Sequence, residues 1–440
     1  MKRPLLAAAL AGVVLAGCAP ATDGDRNRPA APAVAPITPE MAARIERNPP
    51  LGPLPPDPTN RYAQSDEAAA LGHRIFFDPR FSANGAVSCS TCHLPEHGFA
   101  DSKPLAVGVG TGTRQAMSVL NAAHQRWLTW DGRADTMWSQ AVQPFEHPLE
   151  MNLPRAQVVQ RVAADPLLRV RYERAFGAPP PAPDATPAQV DAAFANIGKA
   201  LAAYERRLVS GPAPYDRWWT RWRAGDPDAD AELSVDARRG LVIFFGEGLC
   251  WKCHHGALFS DGEFHMLGLP GPGGGGPTDP GRYAVIERVR NDPFNAAGPH
   301  SDDPHGPQAQ ISASLVQEPD LWGTFRTPSL RNVGITAPYM HDGQKATLEE
   351  VVRFYSSLEG ATSLDHHREL VLTRIGLSPK KQRELVAFLH ALTGEAPPAP
   401  WGQPPAPEGG AAAATGGAPA PEPNPATPAP APRNGSAPGR

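Results

Sequence analysis

The chain has 440 residues, enough for two domains of ordinary size and additional terminal segments. Its net charge of −4 at pH 7 shows no excess of basic residues, which argues against nucleic acid or another polyanion as a partner. The 53 prolines are concentrated at the two ends and between the periodic segments, and such Pro- and Ala-rich ends cannot bury enough apolar surface to fold.

The N-terminus has the parts of an export signal. Lys2 and Arg3 precede an apolar run from Leu5 to Leu15, which at about a dozen residues is too short to cross a bilayer core of ~30 Å. The string Leu-Ala-Gly-Cys that ends at Cys18 looks like a lipobox, which predicts a lipoprotein signal peptide over residues 1–18 and an acylated Cys18. Secretion without a lipid is the alternative. The next two residues lack the aspartate that resembles an inner-membrane retention signal, so we expect the outer membrane.

Helical patterns dominate the rest of the chain. Residues 19–60 are predicted to be a linker with one short helical stretch near Pro39 to Glu46. Apolar residues at helical spacing predict further helices at Gln64–Phe77, Arg155–Ala164, Pro187–Val209, Ser234–Phe245, Leu348–Ser356 and Ser378–Leu392. Strand-like alternation is scarce, residues 271–276 form a glycine loop, and residues 397–440 are a Pro/Ala/Gly tail. We therefore predict a mostly α protein with long loops and disordered Pro/Ala-rich tails.

The four other cysteines form two copies of one pattern. The two strings are Cys89-Ser90-Thr91-Cys92-His93 and Cys250-Trp251-Lys252-Cys253-His254. C-x-x-C-H is the c-type haem attachment pattern, in which one turn of chain presents two thiols to the vinyl groups of one porphyrin. The histidine that follows directs its imidazole at the iron. A thioredoxin-like redox pair would need a βαβ context, and a Cys₄ zinc site would leave both histidines unexplained.

Two covalent haem c groups are therefore predicted, with His93 and His254 as proximal ligands. They divide the folded part into two cytochrome c-like domains, an N-terminal haem domain over residues 61–215 and a C-terminal one over residues 216–396. The two motifs suggest an old duplication, although the halves are not obvious repeats in sequence.

Around these motifs the sequence resembles the bacterial di-haem cytochrome c peroxidase family, including its MauG-type branch. The strings that carry the resemblance, from about residue 65 to residue 394, are Leu71-Gly72 to Phe76-Phe77-Asp78-Pro79-Arg80-Phe81-Ser82, Trp130-Asp131-Gly132-Arg133, Gln140, Pro144, Glu150-Met151, Phe259 to Gly262, Phe264-His265, Thr327-Pro328-Ser329-Leu330-Arg331-Asn332 and Thr336 to Gly343. The resemblance implies an enzyme that consumes hydrogen peroxide on an open first haem while the second haem transfers electrons.

The resemblance also assigns roles around the first haem. Glu150 matches the distal acid/base that moves a proton during O–O cleavage. Gln140 and Pro144 match distal residues that position water and close the cavity. Trp130 matches the tryptophan between the two haems, and Arg133 would suit a haem propionate or a carboxylate. Without the resemblance, Glu150 would be interpreted as an ordinary loop glutamate, Pro144 as a helix breaker and Trp130 as a residue of the hydrophobic core.

The sixth ligand of the second haem separates the branches of the family. Ordinary peroxidases have a methionine fourteen residues after the histidine that His341 matches, and that count reaches Tyr355 here. Tyrosine is the MauG-type choice, and its phenolate oxygen favours ferric and higher-valent iron. Met340 and Met266 are rival ligands, and an aromatic core residue is the alternative interpretation of Tyr355.

The loop after the first haem departs from the peroxidases that need reductive activation. Those enzymes carry a histidine there that occupies the peroxide position, whereas residues 107–113 are rich in glycine and threonine. His97 lies only four residues after the proximal His93, too near to reach the opposite haem face. We therefore expect the first haem to be open in the resting diferric protein.

The family binds a calcium ion between the haems through one amide side chain and backbone carbonyls. Gln115 stands where the family has asparagine, and Thr336 and Pro338 match the carbonyl donors. Oxygen ligands suit Ca²⁺. The resemblance therefore implies one calcium ion, and the longer arm of Gln115 argues against it.

Three functions remain open from the sequence. A peroxidase would take electrons from a small periplasmic donor such as a cytochrome c or a cupredoxin. A MauG-like enzyme would oxidise aromatic side chains of a partner protein. A non-enzymatic electron carrier would have two axially saturated haems and no use for Glu150. We expect the peroxidase, in the periplasm and held to a membrane only through the lipid on Cys18, and because relatives commonly dimerise, the resemblance leaves a homodimer open.

Overall fold

A computed structural model of the chain describes residues 34–271, 275–362 and 372–407. Within these ranges the helices, in chain order, are α1 Pro39–Glu46, α2 Asp66–Phe76, α3 Cys89–Cys92, α4 Met137–Glu146, α5 Arg155–Ala164, α6 Pro166–Phe176, α7 Pro187–Glu205, α8 Pro214–Arg223, α9 Val235–Phe245, α10 Ile286–Asn291, α11 Pro307–Ala313, α12 Leu348–Ser357 and α13 Pro379–His390. Two short strands, β1 Phe264–His265 and β2 Phe325–Arg326, pair antiparallel. The prediction of a mostly α protein is confirmed.

Some predicted segments lie outside the described residues. These are the signal peptide, the centre of the glycine loop at residues 271–276, and most of the C-terminal tail. In the described part of the chain, no helix combines the length and apolar character that a bilayer crossing requires.

Capping residues explain where the predicted helices begin. Ser65, Thr186 and Ser378 directly precede α2, α7 and α13, and each side-chain oxygen accepts a hydrogen bond from a backbone N–H of the first turn. Helices α7 and α13 also begin with proline, whose missing N–H costs nothing at the first helical position. All seven predicted helices are present, and α7 ends earlier than predicted, at Glu205.

Helices α4, α6, α8, α10 and α11 were not predicted from the sequence. Pro144 inside α4 reads as a helix breaker, yet α4 continues to Glu146. The carbonyl of Pro144 is satisfied from outside the helix, by the N–H of Met151 at 3.1 Å. In α8 the apolar positions are tryptophans among arginines, and Trp218 is fully buried. Tertiary contacts therefore stabilise helices whose local pattern is weak.

Buried apolar side chains form two main clusters, one in each half of the chain. The first cluster spans residues 68–208 with one contribution from Phe294, and the second joins Ile45 to residues 215–392. Helix α2 packs against α7 in the first cluster, and α9 packs against α13 in the second. The two CxxCH motifs fall one in each of these sequence spans. The division into two haem domains nevertheless stays a prediction, because the described residues up to Pro405 form one compact unit.

Both terminal segments contribute to this unit. In the stretch assigned to the N-terminal linker, the carbonyl of Asn48 accepts a hydrogen bond from the Tyr215 hydroxyl at 2.9 Å. Past the predicted start of the tail, the carbonyl of Trp401 accepts one from the Tyr204 hydroxyl at 3.0 Å. The folded part of the chain is therefore longer at both ends than its hydrophobic pattern indicates.

Candidate functional site

Both CxxCH strings form a single helical turn. The first string forms α3, and the second forms a 3₁₀ turn over Cys250–Lys252. In each string the histidine N–H donates to the carbonyl of the first cysteine, at 3.0 Å for His93 and at 2.9 Å for His254. One turn of chain thus precedes each histidine, which is the arrangement that thioether attachment of haem c uses.

The two histidines are held in the same way. Nδ1 of His93 lies 3.2 Å from the Phe99 carbonyl oxygen, and Nδ1 of His254 lies 2.9 Å from that of Phe259. A carbonyl can only accept, so Nδ1 carries the proton and Nε2 keeps its lone pair for iron. Burial lowers the pKa of both histidines and outweighs the opposite effect of these carbonyls, which keeps the imidazoles in the neutral, ligating form.

A cavity of about 720 Å³ adjoins the second CxxCH motif. Cys250, Cys253 and His254 line it together with Tyr355 and Met340. Its volume falls in the range of cofactor and ligand sites in proteins, roughly 300–1,000 Å³. The residues present therefore fit a haem c whose iron would have His254 on one side.

Tyr355, the predicted second ligand, lines the same cavity as His254. Burial and the neighbouring Cys253 and Cys250 raise the pKa of its phenol. Iron coordination would supply the compensating positive charge that a buried phenolate lacks. Met340 lines the same cavity and stays a rival, while Met266 packs beside Gly323.

The string Trp130-Asp131-Gly132-Arg133 connects this cavity to the first site. Trp130 lines the cavity, and its indole N–H donates to the Gln115 carbonyl at 3.0 Å. Three residues later, Nη2 of Arg133 lies 3.7 Å from Oε1 of Glu150. The sequence predicted a haem propionate or a carboxylate as the partner of Arg133. The structure provides two carboxylates, that of Glu150 and that of Asp131, whose Oδ1 lies 3.6 Å from Nη1 of Arg133.

The residues predicted to be distal lie in α4 and in the loop that follows it. Gln140 and Pro144 lie one turn apart and so share a face of α4. Glu150 lies in the loop, which returns to the helix through the bond from the Met151 N–H to the Pro144 carbonyl. The charge of Glu150 is near enough to His93 to raise the pKa of that imidazole, against the larger and opposite effect of burial. The charge of Glu150 therefore acts on the histidine of the first CxxCH motif.

Partly buried ion pairs beside Trp130 were not predicted from the sequence. The guanidinium of Arg114 contacts the carboxylates of Asp131 and Asp279. Burial raises the pKa of Asp131, but Arg133 and Arg114 outweigh it and lower this pKa to about 2. A permanently charged Asp131 therefore stands between the second-site cavity and Glu150. Single acidic residues in loops carry no sequence signal for such pairing.

The residues implied for calcium meet at the cavity but do not fit the ion. Gln115, Thr336 and Pro338 all line the cavity. The side-chain N–H₂ of Gln115 donates to the Pro338 carbonyl at 2.9 Å and to the Asp101 carbonyl at 3.2 Å. The longer arm thus presents a donor where a cation needs the amide oxygen. The Pro338 carbonyl that calcium would take is already satisfied by this hydrogen bond.

An internal repeat relates the two sites. Asn121 and Asn332 both have left-handed backbone conformations, and their Nδ2 groups donate to the same Ser210 hydroxyl at 3.0 and 3.1 Å. Twenty-three residues after each asparagine stand Pro144 in the first half and Tyr355 in the second. The equivalent positions hold a residue that cannot ligate iron and one that can. In the sequence, this repeat could have been recognised from two similar strings that end at the asparagines, Ser-Val-Leu-Asn and Ser-Leu-Arg-Asn.

The chain is similar to proteins of known function. The family described as di-haem cytochrome c peroxidase matches residues 66–223. The chain is 35% identical over 332 residues to the methylamine utilization protein MauG of Methylorubrum extorquens, covering 75% of this chain and 79% of that protein. It is 34% identical over 363 residues to the cytochrome-c peroxidase IdrP1 of Denitromonas iodatirespirans, covering 81% and 89%.

A solved structure has the same architecture. It is that of a MauG-like protein associated with microbial copper homeostasis, with a TM-score of 0.61 and 28% identity. The match covers 81% of this chain and 98% of that one, so both haem-bearing halves are included.

Proposed function

Because the chain belongs to the di-haem cytochrome c peroxidase family, and is therefore a haem-dependent oxidoreductase with two c-type haems, we propose that it reduces hydrogen peroxide at the first site, with His93, and handles electrons at the second, with His254. The observation that carries this division is the repeat. Pro144 stands at the first site where Tyr355 stands at the second. A proline ring has no ligating atom, so a haem iron at the first site would keep a free position, whereas the phenol of Tyr355 could ligate one at the second.

Glu150 is the proposed acid and base at the first site. Bound haem c supplies the iron and the redox equivalents that peroxide reduction requires. Glu150 takes a proton from one peroxide oxygen and returns it to the other, the leaving one. Nη2 of Arg133 lies 3.7 Å from Oε1 of this carboxylate. Gln140 and Pro144 bound the space in which the peroxide and its water product lie.

Trp130 is the proposed electron bridge between the sites. Its ring lines the second-site cavity, and its own chain leads within three residues to Arg133. An indole is an aromatic ring with a polar N–H, and here that N–H is fixed by the Gln115 carbonyl. The ring therefore holds one orientation while electrons pass. Arg133 has two carboxylate partners in the structure, and contact with a haem propionate remains part of the proposal.

Replacing Glu150 tests the acid/base role. We expect Glu150→Gln, which keeps the shape but cannot carry the proton, to slow the reaction of the holoprotein with peroxide by about 100- to 10,000-fold. Stopped-flow absorbance at the haem Soret band measures this rate. Glu146→Gln is the matched control, because Glu146 lies at the end of α4 and forms an ion pair with Arg155 at 2.6 Å. Equal rates for wild type and Glu150→Gln would remove Glu150 from the mechanism.

Tyr355 favours a second candidate, the oxidation of aromatic side chains on a partner protein. Oxygen ligation stabilises high oxidation states of iron and would let the second site store an oxidising equivalent. Steady-state turnover of peroxide with reduced cytochrome c or a cupredoxin separates the two functions. Rapid turnover supports the peroxidase, and slow turnover with every small donor supports a protein substrate.

The proposal that the protein is exported and attached to a membrane rests on its N-terminal sequence. The lipobox before Cys18 supports a periplasmic protein anchored to the outer membrane by a lipid, with no other attachment. A homodimer is supported by the family resemblance alone. Calcium forms no part of the proposal, because the Gln115 amide hydrogen bonds to the Pro338 carbonyl.

A further inference from the structure

Residues 107–113 fold into a tight hairpin beside the first site. The N–H of Gly108 donates to the Gly110 carbonyl at 2.9 Å, and the N–H of Gly112 donates to the Ala106 carbonyl at 2.8 Å. An antiparallel bridge joins the two arms of the hairpin. The hairpin is therefore fixed by its own backbone hydrogen bonds.

The tip of the 107–113 hairpin is bonded to the backbone of the loop that carries Glu150. The N–H of Val109 donates to the Glu150 carbonyl at 2.8 Å, and the N–H of Gly110 donates to the Leu149 carbonyl at 3.0 Å. Two neighbouring carbonyls are thus held by two neighbouring N–H groups. The contact is made by the backbone, so the side chain of Glu150 stays free to act.

Gly108 allows this contact because it has no side chain. A Cβ on Gly108 would collide with the carbonyl oxygen of Glu150 and would lie 2.6 Å from that of Leu149. Backbone atoms cannot rotate away as the end of a long side chain can, so the hairpin or the loop would have to move. Gly112, in the same hairpin, is different. A Cβ there would have its nearest neighbour, the Ala106 carbonyl oxygen, at an ordinary 3.5 Å.

The remaining contacts of the loop complete the support. The Glu150 N–H donates to the His147 carbonyl at 3.1 Å, and the Met151 carbonyl accepts from the Ala83 N–H at 2.8 Å. Both backbone polar groups of Glu150 therefore have partners. Of these contacts, the one with the hairpin is the contact that requires a glycine at position 108.

We propose that Gly108 is a positioning residue for peroxide reduction, because it lets the 107–113 hairpin hold the backbone of Glu150 and thereby its carboxylate at the first site. The proposal rests on the acid/base role proposed for Glu150. A site held by backbone bonds of this kind is already assembled in the resting protein. In this chain the loop after the first haem thus supports the catalytic carboxylate.

A double-mutant cycle on the holoprotein tests this role. The variants are Gly108→Ala, Glu150→Gln, their combination, and Gly112→Ala as the matched control; hydrogen peroxide is the probe, followed by stopped flow. We expect Gly108→Ala to slow the reaction by about 100-fold, the cost of displacing a catalytic group by about 1 Å. In the Glu150→Gln background the same change should cost less than about twofold, because the group that it displaces is already inactive. Gly112→Ala should react like wild type.

The outcomes separate the two proposals. A Gly108→Ala variant that reacts like wild type, while Glu150→Gln is slow, overturns the positioning role and leaves the proposed function intact. Equal losses from Gly108→Ala in both backgrounds also overturn it, because the hairpin would then act independently of Glu150. A wild-type rate for Glu150→Gln overturns the proposed function and the positioning role with it. If Gly108→Ala fails to incorporate haem, Val109→Pro takes its place in the cycle, since it removes the N–H that the Glu150 carbonyl accepts.

Discussion

At the residue scale, Arg133 stands between two carboxylates, Asp131 and Glu150. It lies 3.6 Å from Asp131 and 3.7 Å from Glu150. Since Arg133 and Arg114 hold the pKa of Asp131 at about 2, Asp131 stays ionised throughout the neutral range. Arg133 therefore always has one charged partner, Asp131, beside the carboxyl group of Glu150.

Glu205, the last residue of α7, provides a test by pH. Burial raises the pKa of this carboxyl from 4.5 to about 8. Between these two values the folded protein keeps a proton that the unfolded chain has lost, so the contribution of Glu205 to stability is complete below pH 4.5 and is lost as the pH rises through 8. Glu205→Gln cannot ionise, and we expect its stability to fall less than that of wild type between about pH 5 and pH 8. Urea midpoints at both pH values measure the difference.

The control for this measurement is again Glu146→Gln, at a part-exposed position paired with Arg155. Its stability should follow the wild-type pH dependence. The same pH dependence in Glu205→Gln and wild type would show that Glu205 is ionised in the folded protein.

At the scale of elements, the α4 and α12 helices occupy equivalent places in the two halves. Each begins after a threonine, Thr136 or Thr347, whose hydroxyl accepts a backbone N–H of the first turn. Pro144 and Tyr355 then fall at the same position along the two helices. The functional difference between the sites can therefore follow from one substitution in a repeated element.

The helix pairs that build the two cores each contain a glycine at the closest approach. Alanine normally favours a helix over glycine by about 1 kcal/mol. Here a Cβ on Gly72 of α2 would collide with the Ala200 carbonyl, and one on Gly240 of α9 with the Glu384 carbonyl. We expect Gly72→Ala and Gly240→Ala each to lose about 1–3 kcal/mol of unfolding free energy, the usual cost of overpacking. Urea unfolding of the holoprotein measures it.

Gly52→Ala is the control for these variants, since no atom lies within 4 Å of a Cβ at that position. Its stability should stay close to that of wild type. A gain of stability in Gly72→Ala or Gly240→Ala would mean that the helices are farther apart than the structure has them.

At the scale of the whole molecule, the covalent chemistry could be predicted from the sequence and the tertiary contacts could not. The CxxCH spacing determines haem attachment by itself, because all of its groups lie within five consecutive residues. Helices α7 and α13 could be predicted because their apolar residues recur at helical spacing within one continuous stretch of sequence. Helix α4 escaped prediction because proline usually breaks a helix, whereas α4 continues past Pro144 to Glu146. The bonds that join Asn121 and Asn332 to Ser210 link distant parts of the chain, and no local pattern indicates them.

The same distinction holds for the candidate site: single residues could be predicted from the sequence, and the contacts between them could not. The resemblance supplied Glu150, Trp130 and Tyr355 as single positions. It did not supply the 107–113 hairpin as a support, because a glycine that admits a backbone contact looks in sequence like any loop glycine. Nor did it reveal that the Gln115 amide donates to the Pro338 carbonyl, which depends on where the longer side chain ends.

The central claim is that the first haem is open at rest while the second is closed by a side chain. Low-temperature EPR of the purified diferric protein, before and after one equivalent of hydrogen peroxide, tests it most directly. The account predicts one high-spin and one low-spin ferric signal, both of which disappear when peroxide is added. Two low-spin signals that do not respond to peroxide would contradict it, because the first iron would then already have a sixth ligand.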